Sequence, residues 1–216
     1  MKKLVIFDLD GTLINSIEDL GIATNYALEK NGYPTHPITA YPSFVGNGVR
    51  KLIERALPAD VRTEQTIEKV RLDFKEYYDK HNIDHTVPYK GIPELLKALS
   101  DKGISLAVAS NKYDAAAKYI ISRIFPDVHF AAVEGQKEGI PVKPDPSIVF
   151  GILAATEVMK KDVLYVGDSG VDMETARRAC VDSVGVDWGF RPVSELQAGL
   201  AGHIVSNPLD ILDLID

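Results

Sequence analysis

Leu4-Val5-Ile6-Phe7-Asp8-Leu9-Asp10-Gly11-Thr12-Leu13 is an apolar run that stops abruptly at two carboxylates two residues apart. Four consecutive apolar residues without polar alternation suit a strand buried on both faces, the kind found inside parallel sheets. Residues 3–7 are therefore expected to form a strand that delivers Asp8 and Asp10 to its carboxyl end. In an open parallel sheet, ligands gather just outside the carboxyl ends of the strands. The informative residues elsewhere are those at the ends of similar runs.

Such runs recur at 104–109, 130–133, 163–166 and 183–186, alternating with helix-like periodicity. This is the pattern of an α/β protein with a Rossmann-like parallel sheet. The interval between the first two strands is too long for a single crossover. Within it, Ile17, Leu20, Thr24, Ala27 and Leu28 share one helical face over 16–30, and Ser16 with Asp19 reads as a capping box. Ile67, Val70, Phe74, Tyr77 and Tyr78 form a second stripe over 63–81. Structureless connections beyond about 15 residues are uncommon, so the interval is expected to be a small all-helical cap domain. The expected division is a core of 1–14 with 87–216, and a cap of 15–86. After Pro88, Ile92, Leu95, Leu96 and Leu99 mark a core helix, and Gly103 stands where its C-cap is expected.

The chain of 216 residues is 45% hydrophobic and 25% charged, an ordinary globular composition. Its net charge of −7 argues against broad attraction to nucleic acid or anionic membrane, so an anionic substrate would have to be held locally. Cys180 is the only cysteine, which excludes an intramolecular disulfide and a cysteine-cluster metal site. Leu4 to Phe7 is too short for a signal peptide, and no stretch approaches the roughly 20 apolar residues of a membrane span; a cytoplasmic protein is expected. The five histidines are scattered without ligand spacing and read as structural or solvated.

The chemistry-bearing positions are the strand ends. Ser110-Asn111-Lys112 comes after the second run, and Gly167-Asp168-Ser169-Gly170-Val171-Asp172 after the Val163 run. Lys143 stands in Val142-Lys143-Pro144, just before an expected helix. Crowded carboxylates repel and partly protonate unless a cation neutralises them. Oxygen ligands without His or Cys favour a hard ion, and Mg²⁺ binds through a few carboxylates together with phosphate and water. The site is expected to hold phosphate.

In these motifs and their order the chain resembles the haloacid dehalogenase superfamily of phosphatases and phosphotransferases. Asp8-Leu9-Asp10-Gly11-Thr12-Leu13 is similar to its first motif, Ser110 to its second, Lys143 to its third, and Gly167-Asp168-Ser169 with Asp172 to its fourth. The resemblance implies that Asp8 is a nucleophile forming an aspartyl-phosphate, and that Asp10 protonates the leaving alcohol and then takes a proton from water. It implies that Asp8, the Asp10 carbonyl and Asp168 hold Mg²⁺, and that Ser110, with Asn111, and Lys143 bind the phosphoryl group. Gly11 allows a sharp turn, and with Thr12 it belongs to the loop whose N–H groups could cradle the anion. Asp172 could face the metal through water or orient Lys143.

The resemblance also makes the insertion a cap that closes over the site. Phe44-Val45-Gly46-Asn47-Gly48-Val49-Arg50 places a glycine-bracketed turn before a helix and is similar to the cap loop of phosphoglycolate phosphatases. Gly189-Phe190-Arg191 is similar to a late stretch of the same enzymes. Gly48 and Arg50 are accordingly expected at the substrate, with Arg50 or the amides near Asn47 on a carboxylate. Two departures stand out: Cys180 replaces the family's usual glycine, and residues 134–140 make a longer connection than is common. The expected function is a Mg²⁺-dependent phosphatase acting on a small phosphorylated metabolite, phosphoglycolate foremost, as a monomer or weak homodimer. A sugar phosphomutase shares all four motifs. A true dehalogenase would not need Asp10, and a receiver-type phospho-Asp domain would be shorter and lack the insertion.

Overall fold

In the computed structural model, which describes residues 1–215, the helices and strands succeed one another in a βα order interrupted by a helical excursion. They are β1 (Leu4–Phe7), β2 (Ile14–Asn15), α1 (Ile17–Lys30), α2 (Val49–Ala56), α3 (Glu64–His81), β3 (Val87–Pro88), α4 (Ile92–Asp101), β4 (Ser105–Tyr113), α5 (Asp114–Ile124), β5 (Ala132–Gln136), α6 (Ser147–Thr156), β6 (Val163–Gly167), α7 (Gly170–Ala179), β7 (Asp182–Val186), α8 (Val193–Ala198) and β8 (His203–Val205).

Six strands form one parallel sheet in the order β5-β4-β1-β6-β7-β8. The continuous apolar run of β1 has a direct cause. Val5 and Phe7 face a layer containing Leu95, Leu96 and Ile120, while Leu4 and Ile6 face the opposite layer with Val149, Ile152 and Ala176. Each such side chain contributes about 2 kcal/mol through burial, so no position in the strand tolerates a polar residue. The chain runs outward from β1 through β4 to β5, then crosses to β6 on the other side. Loops after β1, β4 and β6 thus diverge around a crevice at the carboxyl edge.

The inserted helices form a cap with its own core, in which Leu28, Ile53, Val70, Phe74 and Tyr78 are buried together. Thr63 caps α3 by accepting the Thr66 N–H at 3.1 Å. The chain leaves and returns to the sheet through β2 and β3, which pair antiparallel with Ile14 opposite Pro88 and Asn15 opposite Val87. The expected capping box at Ser16 and Asp19 does not form. The Asp19 carboxylate instead accepts the N–H groups of His85 and Thr86 and the Thr86 hydroxyl, stitching the outgoing linker to the returning one. Ser16 turns its hydroxyl to Asp10. Both side chains prefer these partners because the paired linkers bring them within reach.

Strands β2, β3 and β8 have only two or three residues and leave no periodic trace in the sequence. β4 runs on to Tyr113, beyond its apolar stretch, because Ser110, Asn111 and Lys112 are buried despite being polar. Among the described residues no helix is long and apolar enough to cross a membrane.

Helix α7 ends at Cys180 in the left-handed conformation, φ 58° and ψ 48°. A side chain there is strained where glycine is not. Cys180→Gly is expected to stabilise the fold by about 0.5–1 kcal/mol, read as a higher urea midpoint at unchanged m-value; Cys180→Ala should give no such gain.

Candidate active site

Asp8 continues the ladder of β1, its N–H bonded to the Val166 carbonyl at 2.9 Å. Its side chain is thereby fixed at the carboxyl edge, where it meets Lys143. The Lys143 ammonium lies 2.8 Å from Asp8 Oδ1 and 2.7 Å from Asp172 Oδ1. It also donates to the Ala109 carbonyl at 2.8 Å and to the Tyr165 hydroxyl at 3.2 Å. Burial alone would lower its pKa, but Asp172 and Asp8 overcome this and hold it well above the ordinary lysine range. Lys143 is a permanent cation beside the proposed nucleophile.

Asp172 orients this lysine. Its second oxygen accepts the Ser169 hydroxyl at 2.5 Å and the Ser169 N–H at 3.2 Å, closing a capping box at the start of α7. Gly167 is required just before it, because a Cβ there would overlap the Asp172 side chain. Asp168 accepts the Phe190 N–H at 2.7 Å, which brings 189–191 to the site. A Cβ on Gly11 or Gly189 would overlap the Asp168 carboxylate.

One carboxylate oxygen from each of Asp8, Asp168 and Asp172 can be chosen so that the three lie within 4.8 Å of one another. Burial, opposed by Lys143 and reinforced by Asp172 and Asp10, pushes the Asp8 carboxyl up to about 7. Burial, Asp172 and Asp8 together push Asp168 well above the carboxylate range. Two acids held this unfavourably as anions fit a hard divalent cation, which would restore both as carboxylates. Since Asp172 already satisfies Lys143 and Ser169, Asp8 and Asp168 are the side chains available as direct ligands.

Ser110 lines the same cleft, its hydroxyl oxygen accepting the Lys112 N–H at 3.1 Å. Asn111, expected beside the phosphate, has its amide engaged elsewhere. Its Oδ1 accepts the Lys143 N–H at 2.8 Å, and its Nδ2 donates to the Lys143 carbonyl at 3.1 Å and the Gly46 carbonyl at 3.2 Å. It clamps the lysine loop and the cap loop together. Thr12 is buried and its carbonyl accepts the Trp188 indole N–H at 3.1 Å.

The cleft lies between cap and core, with residues of both lining it. Its cap wall is apolar, with Leu20, Val45, Val49, Leu52 and Phe74, and its core floor is charged. Gly48 is in place at φ +81°, where a Cβ would press on Gln136 and the Asn111 carbonyl. Arg50 is not brought to the cleft. It is exposed on α2 and pairs with Glu54 and Glu64. The arginine that does line the cleft is Arg191, which donates to the Val45 carbonyl at 2.6 Å.

Lys112 and Tyr78 are the residues sequence reasoning missed. Lys112 Nζ lies 3.1 Å from Asp10 Oδ1 and 2.7 Å from the Tyr78 hydroxyl. The only signal was the place of Lys112 directly after Ser110-Asn111; Tyr78 was absorbed into the apolar stripe of α3.

A buried carboxylate with a fixed cation, a neighbouring acid and an acidic cluster suited to a cation, all under a helical cap, marks an enzyme that hydrolyses phosphate esters. Residues 5–186 match the family described as haloacid dehalogenase-like hydrolase, and the chain belongs to that family. Relatives include the phosphoglycolate phosphatase of Aquifex aeolicus, 31% identical over 99% of this chain and 97% of its own length. Phosphoglycolate phosphatase 1 of Pseudomonas aeruginosa is 30% identical over 100% of this chain and 80% of its own. A solved structure of a predicted phosphoglycolate phosphatase from Haemophilus somnus superposes with TM-score 0.89 at 28% identity, covering 100% of this chain and 98% of its own.

Because Gly11 combines φ +88° with contact against Asp168, Gly11→Ala is expected to displace that carboxylate. Activity should fall about 100-fold while stability drops by only about 1–2 kcal/mol, measured by phosphate release and urea denaturation on the same preparation.

Proposed function

We propose that the protein is a Mg²⁺-dependent phosphatase that hydrolyses a small phosphate monoester through an aspartyl-phosphate on Asp8, with phosphoglycolate as its substrate. The observation that carries the chemistry is the buried Asp8 carboxylate 2.8 Å from Lys143, with Asp10 on the same loop. The substrate assignment draws support from the names of the relatives and from a cleft that holds Arg191 beside the charged core floor.

On this reading Asp8 attacks phosphorus in line with the leaving oxygen. Lys143 and Ser110 stabilise the phosphoryl oxygens as charge is redistributed. Asp10 gives a proton to the departing alcohol, then takes one from the water that hydrolyses the acyl phosphate. When bound, Mg²⁺ would be held by Asp8 and Asp168 and would supply charge neutralisation at the phosphate. Phe74, Leu52 and the rest of the cap wall exclude bulk water.

A phosphate-release screen over small phosphorylated metabolites, run with Mg²⁺ and without a sugar-bisphosphate primer, should give phosphoglycolate the highest kcat/KM. Dependence on the primer would make the enzyme a phosphomutase. Asp8→Asn should abolish turnover with the circular dichroism unchanged; appreciable residual activity would exclude Asp8 as nucleophile.

With Arg50 outside the cleft, recognition of the substrate carboxylate falls to Arg191 and the N–H groups of the loop 46–48. Arg50→Ala should therefore leave kcat/KM on phosphoglycolate within about 2-fold of wild type, in the range of an exposed ion pair. A 10-fold loss confined to phosphoglycolate, spared on an uncharged ester, would return Arg50 to the site.

A further inference from the structure

Lys112 is a buried cation for which the phosphoryl-transfer scheme has no role. It stands at the end of β4, its backbone N–H held by Ser110, and its ammonium meets only groups that belong to the acid/base side of the cleft. Asp10 Oδ1 receives it at 3.1 Å and receives the Ser16 hydroxyl at 2.5 Å. Both contacts are made to the same oxygen. Oδ2 takes part in neither contact.

The other side of the ammonium is occupied by the cap. Tyr78 on α3 accepts a hydrogen bond from it at 2.7 Å, and the centroid of the Tyr78 ring lies 4.7 Å away. Tyr78 stacks on Phe74 at 5.1 Å inside the cap core, so its position is that of the cap itself. Ser16 lies at the start of the linker into the cap, immediately after β2. Both groups that share Asp10 Oδ1 are therefore tied to the cap, one through Tyr78 and one through the linker.

We propose that Lys112 is a positioning residue for Asp10, held in place by Tyr78, so that the proton-transferring carboxyl is set only when α3 lies against the end of β4. The proposal rests on Asp10 being the acid and base of the reaction. As the Asp8–phosphorus bond forms and the phosphorus–oxygen bond to the leaving group breaks, the bonding pair goes to the leaving oxygen and the Asp10 proton goes with it. The negative charge that appears on Asp10 is met by the Lys112 ammonium and the Ser16 hydroxyl. In the second half, Asp10 recovers a proton from the water attacking phosphorus, the acyl phosphate opens, and Asp8 is regenerated. Lys112 stabilises the charge that exists between these two events.

Aryl phosphates separate this role from a structural one. The wild type, Lys112→Met, Lys112→Arg, Tyr78→Phe and Asp10→Asn are assayed on phenyl phosphate and p-nitrophenyl phosphate, comparing kcat/KM, which reports steps up to loss of the phenol. p-Nitrophenolate leaves without a proton, whereas phenolate needs one. Lys112→Met is expected to lose about 10-fold more on phenyl phosphate than on p-nitrophenyl phosphate. Tyr78→Phe should show the same preference at about 3-fold, and Lys112→Arg should recover part of the loss. Equal losses on both esters in Lys112→Met would overturn the proposal. Should Lys112→Met fail to fold, Tyr78→Phe, which removes a single oxygen, decides by the same criterion. Asp10→Asn keeps the two readings apart. If it shows no leaving-group preference, the acid/base assignment itself falls. If it does while Lys112→Met does not, only the positioning role falls.

Discussion

Lys143 is an ammonium sealed from water between two carboxylates, and most of the site is arranged around the cost of placing it there. Removing one partner from such a buried pair typically costs about 3–5 kcal/mol, because the remaining charge has no water to turn to. Asp172 is therefore tied twice, to the lysine and to the N-terminus of α7. Asn111 fixes the lysine backbone on both its N–H and its carbonyl. Tyr165 approaches from the sheet below at 3.2 Å. A charge so confined cannot relax when phosphate charge shifts, which is the condition under which electrostatic stabilisation is strongest.

The same fixation reaches the cap. Asn111 holds the lysine loop and, with its second amide proton, the Gly46 carbonyl of the cap loop. Arg191, brought in by the contact between Phe190 and Asp168, holds the neighbouring Val45 carbonyl. Two adjacent carbonyls of one loop are thus bound, one by a residue that clamps the lysine loop and one by the neighbour of a residue bonded to Asp168. The glycines at 46 and 48, both at positive φ, permit the loop to come this close. The cap loop and the lysine loop are thus held to one another by direct hydrogen bonds from Asn111.

The fold and the reacting residues were legible because they are set by period and place. An unbroken apolar run must be a doubly covered strand, and the residues at its carboxyl end must lie at the edge where ligands bind. Asp8, Asp10, Ser110, Lys143 and Asp168 all stand at such positions. Arg50 stands outside the cleft lining, against expectation, because carboxylates from its own helix, Glu54, and from Glu64 are within reach of an exposed cation in that first turn and pair with it. Ser16 and Asp19 misled for a related reason. Their spacing is that of a local cap, yet a linker distant in sequence offered the Asp19 carboxylate three donors at once. Lys112 and Tyr78 were illegible because their partners lie on other elements.

Two carboxylates from one short loop, Asp8 and Asp10, end in different hands. Asp8 faces Lys143 and the acidic cluster, where burial and neighbouring negative charge raise its pKa and make it responsive to a cation. Asp10 lines the same cleft but is engaged by Lys112 and Ser16. The alternation of β1 cannot by itself explain the difference, since residues two apart in an extended strand point to the same side. β1 ends at Phe7, and from Leu9 the chain turns, the Leu9 carbonyl accepting the N–H groups of Thr12, Leu13 and Ile14. That turn is possible because Gly11 adopts a left-handed conformation against Asp168. Each carboxylate of this one loop thus meets its own lysine, Asp8 with Lys143 and Asp10 with Lys112.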